Sequence, residues 1–357
     1  MNDLFIFVSV SGLDGRKNDG GTSRIMALTK WLKKNKKNVK YLKLNKSKIH
    51  RIIKHLYFLT SVKGSTIFYV HPEYGFDIFS DKKSRKFISK LFFMALKRAK
   101  KYNNIIFDVN DLKCEQYKDL EINKYNLNRV QEVENELFKL DAKYIFASNS
   151  MRDYAVKKYS LNIENTEVCI NGSVIADDKE EKQHQRDVLK FIYAGTLNKG
   201  RNIEKLINDF PSDKKYKLIL IGPDGEWINE YSKNSNIEYM GSFPELEAHK
   251  IANKCDVGLI PYDDTRLYYN LAYPTKLPFY LCSGIPVIST PVDEIMICSD
   301  KDSFGWYAGM DSWKELINSL NADDINEKKN NIKKIKNKYT WNQIFSNSKF
   351  LNKTEVK

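Results

Sequence analysis

The chain has 357 residues, 42% of them hydrophobic, enough for two domains of ordinary size with real cores. Its 59 lysines and arginines outnumber 45 acidic residues, a formal charge of +14 that favours anionic partners: nucleic acid, anionic lipid or phosphorylated small molecules. The five cysteines form no CxxC pair, which argues against zinc sites and a disulfide framework and points to a reducing, cytoplasmic setting.

Leu4 to Val10 is apolar and β-branched and predicts a buried parallel strand. It is too short, and lacks the preceding basic region, to read as a signal peptide. Gly12, Gly15, Gly20 and Gly21 make the next loop glycine-rich. Thr22 is placed to cap a helix to about Lys33, with Ile25, Met26, Leu28 and Leu32 on its apolar face. Further strands are predicted at Val39 to Leu44, Ser65 to Val70, Asn104 to Val109 and Lys143 to Ala147. The last leads into a Ser148-Asn149-Ser150 helix cap. Strand–helix alternation of this kind predicts an α/β domain with a doubly wound parallel sheet.

The run Ala176 to Asp187 is polar and reads as a linker. Alternation then restarts. Strands are predicted at Val188 to Ala194, Lys217 to Ile221, Ile237 to Met240, Asp256 to Pro261 and Pro286 to Ser289, with helices around Ile203 to Asp209 and Lys276 to Cys282. The expectation is two Rossmann-like domains with parallel sheets facing a central cleft, the first over 1–175 and the second over 176–335. No ~18-residue apolar stretch suited to a membrane span is present.

Four segments of the second half fall at strand ends, where open α/β sheets bind ligands. In Tyr193 to Asn202, Gly195 and Thr196 follow a strand, and Lys199 and Arg201 offer cations for a diphosphate, Arg as a planar fork. Gly222-Pro223 and Gly241 are strand-end turns that bring backbone close to a ligand; read singly, they are ordinary punctuation. In Tyr273 to Ile288, Pro274 and Thr275 enter a helix whose first turn carries Lys276. A cation at that end opposes the helix dipole, so an anion is expected to compensate it.

In order and spacing these segments, with Asp256-Val257-Gly258-Leu259-Ile260-Pro261-Tyr262, resemble the C-terminal domain of family 4 GT-B glycosyltransferases. Gly20-Gly21-Thr22 resembles that family's phosphate or acceptor loop. Tyr144 to Met151 resembles its last N-domain strand, and Tyr339-Thr340-Trp341 the start of a C-terminal helix, here 336–357, that packs back on the N-domain. The resemblance implies a nucleotide diphosphate sugar, with uridine as the expected nucleoside, as donor in the second domain. It implies a saccharide or polyprenyl-diphosphate-linked saccharide as acceptor in the first, with no cofactor and no metal. Arg201 and Lys276 would hold the diphosphate, with Lys199 as a second candidate, and Thr275 would offer its backbone N–H. The family's usual glutamates are replaced by Leu271 and Phe279. The stretch Pro274-Thr275-Lys276-Leu277-Pro278-Phe279-Tyr280-Leu281 is closer to a bacterial glucosyl- and galactofuranosyltransferase branch, with Tyr269 and Asn270 as substitute sugar or ribose contacts.

In the first domain His71 follows a strand, and Asp108 and Asp111 flank Val109-Asn110 at the end of another; any of the three could take the proton of an acceptor hydroxyl, with His71 and Asp111 as the chosen candidates, a strand-end Asp being otherwise a turn residue. Lys82 to Lys101 is a basic amphipathic helix. Phe87, Ile88, Leu91, Phe92, Ala95 and Ala99 share its apolar face, and Phe93 falls among the lysines, which suits peripheral contact with an anionic membrane. Nucleic acid is not expected, since no zinc-finger, RNP-like or helix-turn-helix signature accompanies the charge. Two rival readings are a partner subunit with the same fold, which donor hydrolysis would argue against, and a sugar-nucleotide epimerase.

Overall fold

The computed structural model describes residues 4–8, 20–36, 38–42, 48–70, 77–175, 188–198 and 201–352. Its first sheet contains β1 (Leu4–Val8), β2 (Val39–Tyr41), β3 (Ser65–Val70), β4 (Asn104–Val109), β5 (Lys143–Phe146) and β6 (Thr166–Val168). All pairings are parallel and the order is β2-β1-β3-β4-β5-β6. Every residue of β3 is buried, the polar Ser65 and Thr66 included, as a strand covered on both faces requires. The strand order reverses between β1 and β3, the flavodoxin-like arrangement.

The second sheet contains β7 (Leu189–Ala194), β8 (Tyr216–Ile221), β9 (Ile237–Gly241), β10 (Val257–Ile260), β11 (Val287–Ser289) and β12 (Gly305–Tyr307). It is also parallel, in the order β12-β11-β10-β7-β8-β9. That is the dinucleotide-binding order, and its reversal lies between β7 and β10. Phe191, Tyr193, Leu218, Leu220 and Leu259 of this sheet pack with Leu206, Ile207 and Trp313 in one core. The three-residue strands β6 and β12 are absent from the expected set; both are only partly buried and carry no periodic run long enough to read.

The chain divides into two compact units: Met1–Ile170 with Ile344–Lys357, and Asn171–Gln343. The expected boundary at 175 thus falls inside the second unit. The reason is local pairing: Ser173 N–H donates to Tyr339 O at 2.9 Å, and Trp341 N–H to Ser173 O at 3.2 Å. The last helices join the first unit. Trp31 Nε1 donates to Ser346 Oγ at 3.2 Å, and Glu167 accepts the Phe350 N–H at 2.9 Å, capping the final turn. The linker run 176–187 lies outside the described residues.

Two expected helices are redrawn. The first spans Gly20–Asn35, so Thr22 lies within its first turn instead of capping it. The helix Lys83–Lys100 buries Ser89, Phe92, Phe93, Ala95, Leu96 and Ala99. Phe93 is therefore core, while Phe87, assigned to the core face, is 62% exposed. A helical wheel knows only one partner. Here the neighbouring helix Lys48–Ser61 covers the same side, with His55 6.0 Å from Phe92, and it turns the buried arc towards Phe93.

Candidate functional site

The second unit gathers several of the expected residues at the point where β7 and β10 part. Their register ends at Gly258↔Ile192. Beyond it the Tyr280 hydroxyl replaces the ladder. It accepts from Ala194 N–H at 2.8 Å and lies 3.2 Å from both Ile192 O and Leu259 O. The Tyr280 ring lies so close on β10 that a Cβ on Gly258 would stand 2.4 Å from it. Tyr280 thus fastens the helix Lys276–Cys282 to the switch point, and Lys276, four residues earlier, shares its face one turn above the strand ends.

Lys276 is 7% exposed. Its Nζ lies 4.9 Å from the ring centres of Tyr193 and Tyr262 and 3.4 Å from the Tyr262 hydroxyl. Its chain rests on Gly195, where a Cβ would come within 2.8 Å of Lys276 Cε. Among the described residues no carboxylate pairs with Lys276 or with the exposed Arg201. Burial raises the phenol pKa of Tyr193, Tyr262 and Tyr269; Lys276 opposes this at Tyr193, and Arg201 opposes it at all three. Both cations therefore act on one cluster of tyrosines. The side chain of Thr275 makes no cap bond, and Leu277 N–H is already bonded to Pro274 O at 3.0 Å, so this short helix contributes mainly its lysine.

The strand-end glycines interlock. Gly195 N–H donates to Ile221 O and Gly222 N–H to Gly241 O, both at 2.9 Å, and Leu197 N–H donates to Pro223 O at 2.9 Å. Gly195 and Gly222 adopt φ of +152° and +142°. Tyr269 stacks on Tyr262 with ring centres 4.8 Å apart. Asn270 is committed to backbone: Nδ2 donates to Asp264 O at 2.7 Å and Arg266 O at 3.0 Å, and Oδ1 accepts Asp293 N–H. Thr196 O accepts the Tyr193 hydroxyl at 3.0 Å. Lys199 lies outside the described residues. Tyr193, Tyr262 and Tyr280 escaped sequence reasoning as site residues; the Lys-x-x-x-Tyr spacing was the available signal for Tyr280.

In the first unit His71 lies outside the described residues, and Gly20, Gly21 and Thr22 form the start of the first helix. Asp108 is consumed by Arg24 in a buried two-point pair, with Nη2 2.7 Å from Oδ1 and Nε 2.9 Å from Oδ2. Burial lowers the Arg24 pKa, but Asp108 outweighs it and the net shift is upward. Arg24 also reaches Ile170 O at 3.1 Å, a structural tie. Asp111 pairs with Lys113 Nζ at 3.0 Å beside a cavity of about 40 Å³. That volume suits a few waters and excludes a sugar. Cys114, Glu115 and Glu134 lie within 4.8 Å of one another, yet Glu134 accepts Cys114 N–H at 3.3 Å and the Tyr159 hydroxyl at 2.8 Å, the work of a helix cap.

Burial fixes a pH response. His249 is fully buried between Ser283 Oγ (2.7 Å) and Ser173 Oγ (3.1 Å), and burial lowers its pKa to about 4. Burial likewise lowers His55, in the first unit, to about 3. A depressed folded-state value means that the stabilisation is present above the unfolded pKa near ~6.5 and is lost as pH falls below it. In the first unit Glu134 opposes this: burial and then Glu115 raise it to about 7, so its contribution grows on acidification. In the second unit burial also raises the Glu245 carboxyl, on the same helix as His249, and offsets part of the loss, so stability there should drop by roughly 1–2 kcal/mol between pH 7 and pH 5. Hydrogen exchange at the helix Glu245–Asn253, corrected for intrinsic rate, reads this directly. Equal protection at both pH values would show that the imidazole is not held neutral.

Comparison with known proteins places this geometry. Residues 191–349 match the family model described as "Glucosyltransferase 3-like, C-terminal domain". The chain has the GT-B fold, and its residues 191–349 form a C-terminal domain of glucosyltransferase type. It is similar to HepE of Anabaena, solved with UDP and glucose, over 96% of this chain and 98% of that one (TM-score 0.63, 12% identity). Sucrose-phosphate synthase of Thermosynechococcus elongatus matches over 96% of both chains (TM-score 0.68, 13% identity). WaaG, a glycosyltransferase involved in lipopolysaccharide biosynthesis, matches over 94% of this chain and 95% of that one (TM-score 0.60, 11% identity). No curated protein sequence matches the chain.

Proposed function

We propose that the protein transfers a hexosyl group from a uridine diphosphate sugar held at the β7/β10 switch point. The observation that carries this reading is Lys276, an ammonium largely withdrawn from water against phenols and ring faces, with no carboxylate partner among the described residues. Such a cation is costly to bury without a counter-charge. A donor diphosphate would supply the counter-charge, and Arg201, acting on the same tyrosines, would flank it. The complexes of HepE with UDP and UDP-glucose support the uridine donor. As the sugar C–O bond breaks, its electron pair passes to the β-phosphate oxygen, where both cations meet the growing charge. The acceptor hydroxyl attacks the anomeric carbon and gives up its proton to water or to the departing diphosphate; Asp111, held by Lys113 beside a cavity too small for a sugar, does not fit the part of base. The acceptor is a saccharide, free or carried on a polyprenyl diphosphate, in surface-glycan synthesis.

The cations make a metal unnecessary for donor binding in this reading. Calorimetric titration with UDP and UDP-glucose in excess EDTA should show binding, and at 100 times Kd the ligand should add roughly 2.7 kcal/mol of stability. Binding that appears only with Mg²⁺ or Mn²⁺ would overturn the metal-free form. Absence of binding under either condition would overturn the donor assignment.

A further inference from the structure

The first unit carries an exposed apolar surface that the transfer reaction does not use. On the helix Lys48–Ser61, Ile49, Ile53 and Tyr57 are 72%, 62% and 72% exposed. They recur every fourth residue and so form one ridge, about 12 Å long at ~1.5 Å per residue. On the adjoining helix Lys83–Lys100, Phe87 and Met94 are 62% and 67% exposed. The inner faces of these helices meet each other and the sheet, since His55 contacts both Phe92 and Tyr69. Their outer faces therefore lie side by side. Neither helix contains an acidic residue. Lys83, Lys90 and Arg98 are exposed along the second ridge, with no carboxylate partner among the described residues.

We propose that these two outer faces form one docking surface for an anionic lipid bilayer, with the five apolar side chains entering the interface and the cations meeting head groups. Lys86, Lys97 and Lys100 are paired with Asp81, Glu136 and Asp141 on neighbouring segments, which leaves Lys83, Lys90 and Arg98 as the cations, interleaved with exposed apolar groups, that fit a surface apolar inside and negative at its rim. A second copy of this chain fits less well, because a two-fold contact sets each patch against itself and brings like charges together. Nucleic acid would leave the apolar ridge in water. No helix among the described residues is long and apolar enough to cross a membrane, so this contact is peripheral. The inference deepens the lipid-linked form of the acceptor proposed above; its residues belong to the first unit, whereas those of the donor site belong to the second.

The test is co-sedimentation of the full chain with vesicles of phosphatidylcholine, with and without phosphatidylglycerol. The wild type should bind only the anionic vesicles. Lys90→Glu with Arg98→Glu should weaken binding about 25-fold or more, at roughly fivefold per charge removed. Ile53→Ser with Phe87→Ser should weaken it at least tenfold. All these side chains are exposed, so circular dichroism and UDP binding should not change, which separates this test from that of the donor site. The proposal is overturned if the wild type ignores anionic vesicles at low salt. It is also overturned if Ile53→Ser with Phe87→Ser binds as tightly as wild type, because attraction is then charge alone. Self-association that this apolar pair dissolves, without vesicle binding, would assign the surface to a second copy.

Discussion

Lys276→Ala and Arg201→Ala should each lower kcat/KM by roughly 10- to 100-fold, with apo stability held or, for Lys276→Ala, slightly increased. A charge-assisted contact to phosphate is worth ~1.5–3 kcal/mol, and ~1.4 kcal/mol is tenfold in rate. The contacts strengthen as negative charge collects on the leaving diphosphate, so kcat should fall along with kcat/KM. The stability side follows from burial. Lys276 is 7% exposed and lies against Tyr193 and Tyr262 with no carboxylate partner among the described residues. Removing the ammonium relieves a desolvation cost, and the phenols keep their own bonds, such as Tyr193 to Thr196 O at 3.0 Å. The measurement is steady-state kinetics on both variants beside melting curves without ligand. Wild-type turnover in either would place the diphosphate elsewhere.

Gly222→Ala should have the largest structural effect. The residue has φ of +142°, and an added Cβ would lie 1.9 Å from Gly195 O, a backbone atom that cannot swing aside. Conformational strain of ~1–3 kcal/mol and overpacking of a similar size give a loss of roughly 3–5 kcal/mol. For a unit of this size that is a fall of about 10 °C in Tm. Because Gly195 N–H bonds to Ile221 O and the Lys276 chain rests on Gly195, the displaced turn should also weaken UDP binding. Gly241→Ala is the control: an added Cβ there meets nothing within 4 Å, so only its φ of +90° is penalised. If Gly222→Ala melts no lower than Gly241→Ala, the glycine interlock does not hold these turns.

Several parts of the site were legible from residue order. The strand endings at Gly195, Gly222 and Gly241 fall where apolar runs meet glycine, and a glycine after such a run marks a turn whatever surrounds it. Lys276 in a first turn was anomalous against the helix dipole before any contact was known. Asn270, by contrast, looked like a sugar contact because it stands near the missing glutamates; its amide is instead spent on Asp264 O, Arg266 O and Asp293 N–H. Asp108 looked like a base because it ends a strand, yet its partner Arg24 is 84 positions away. Pairings over such distances leave no local pattern.

By itself the sequence determined the alternation of strand and helix, and with it two parallel sheets, because apolar periodicity and glycine punctuation act within a few residues. It also placed Lys276 and Arg201 next to strand ends. Tertiary structure alone decided what surrounds them. Strand order set the switch point between β7 and β10, and so brought Tyr193, Tyr262 and Tyr280 to one lysine. Helix-on-helix packing decided that Phe93 is core and Phe87 is surface. Both depend on neighbours distant along the chain, and burial is a property of that assembled neighbourhood, to which a local pattern is blind.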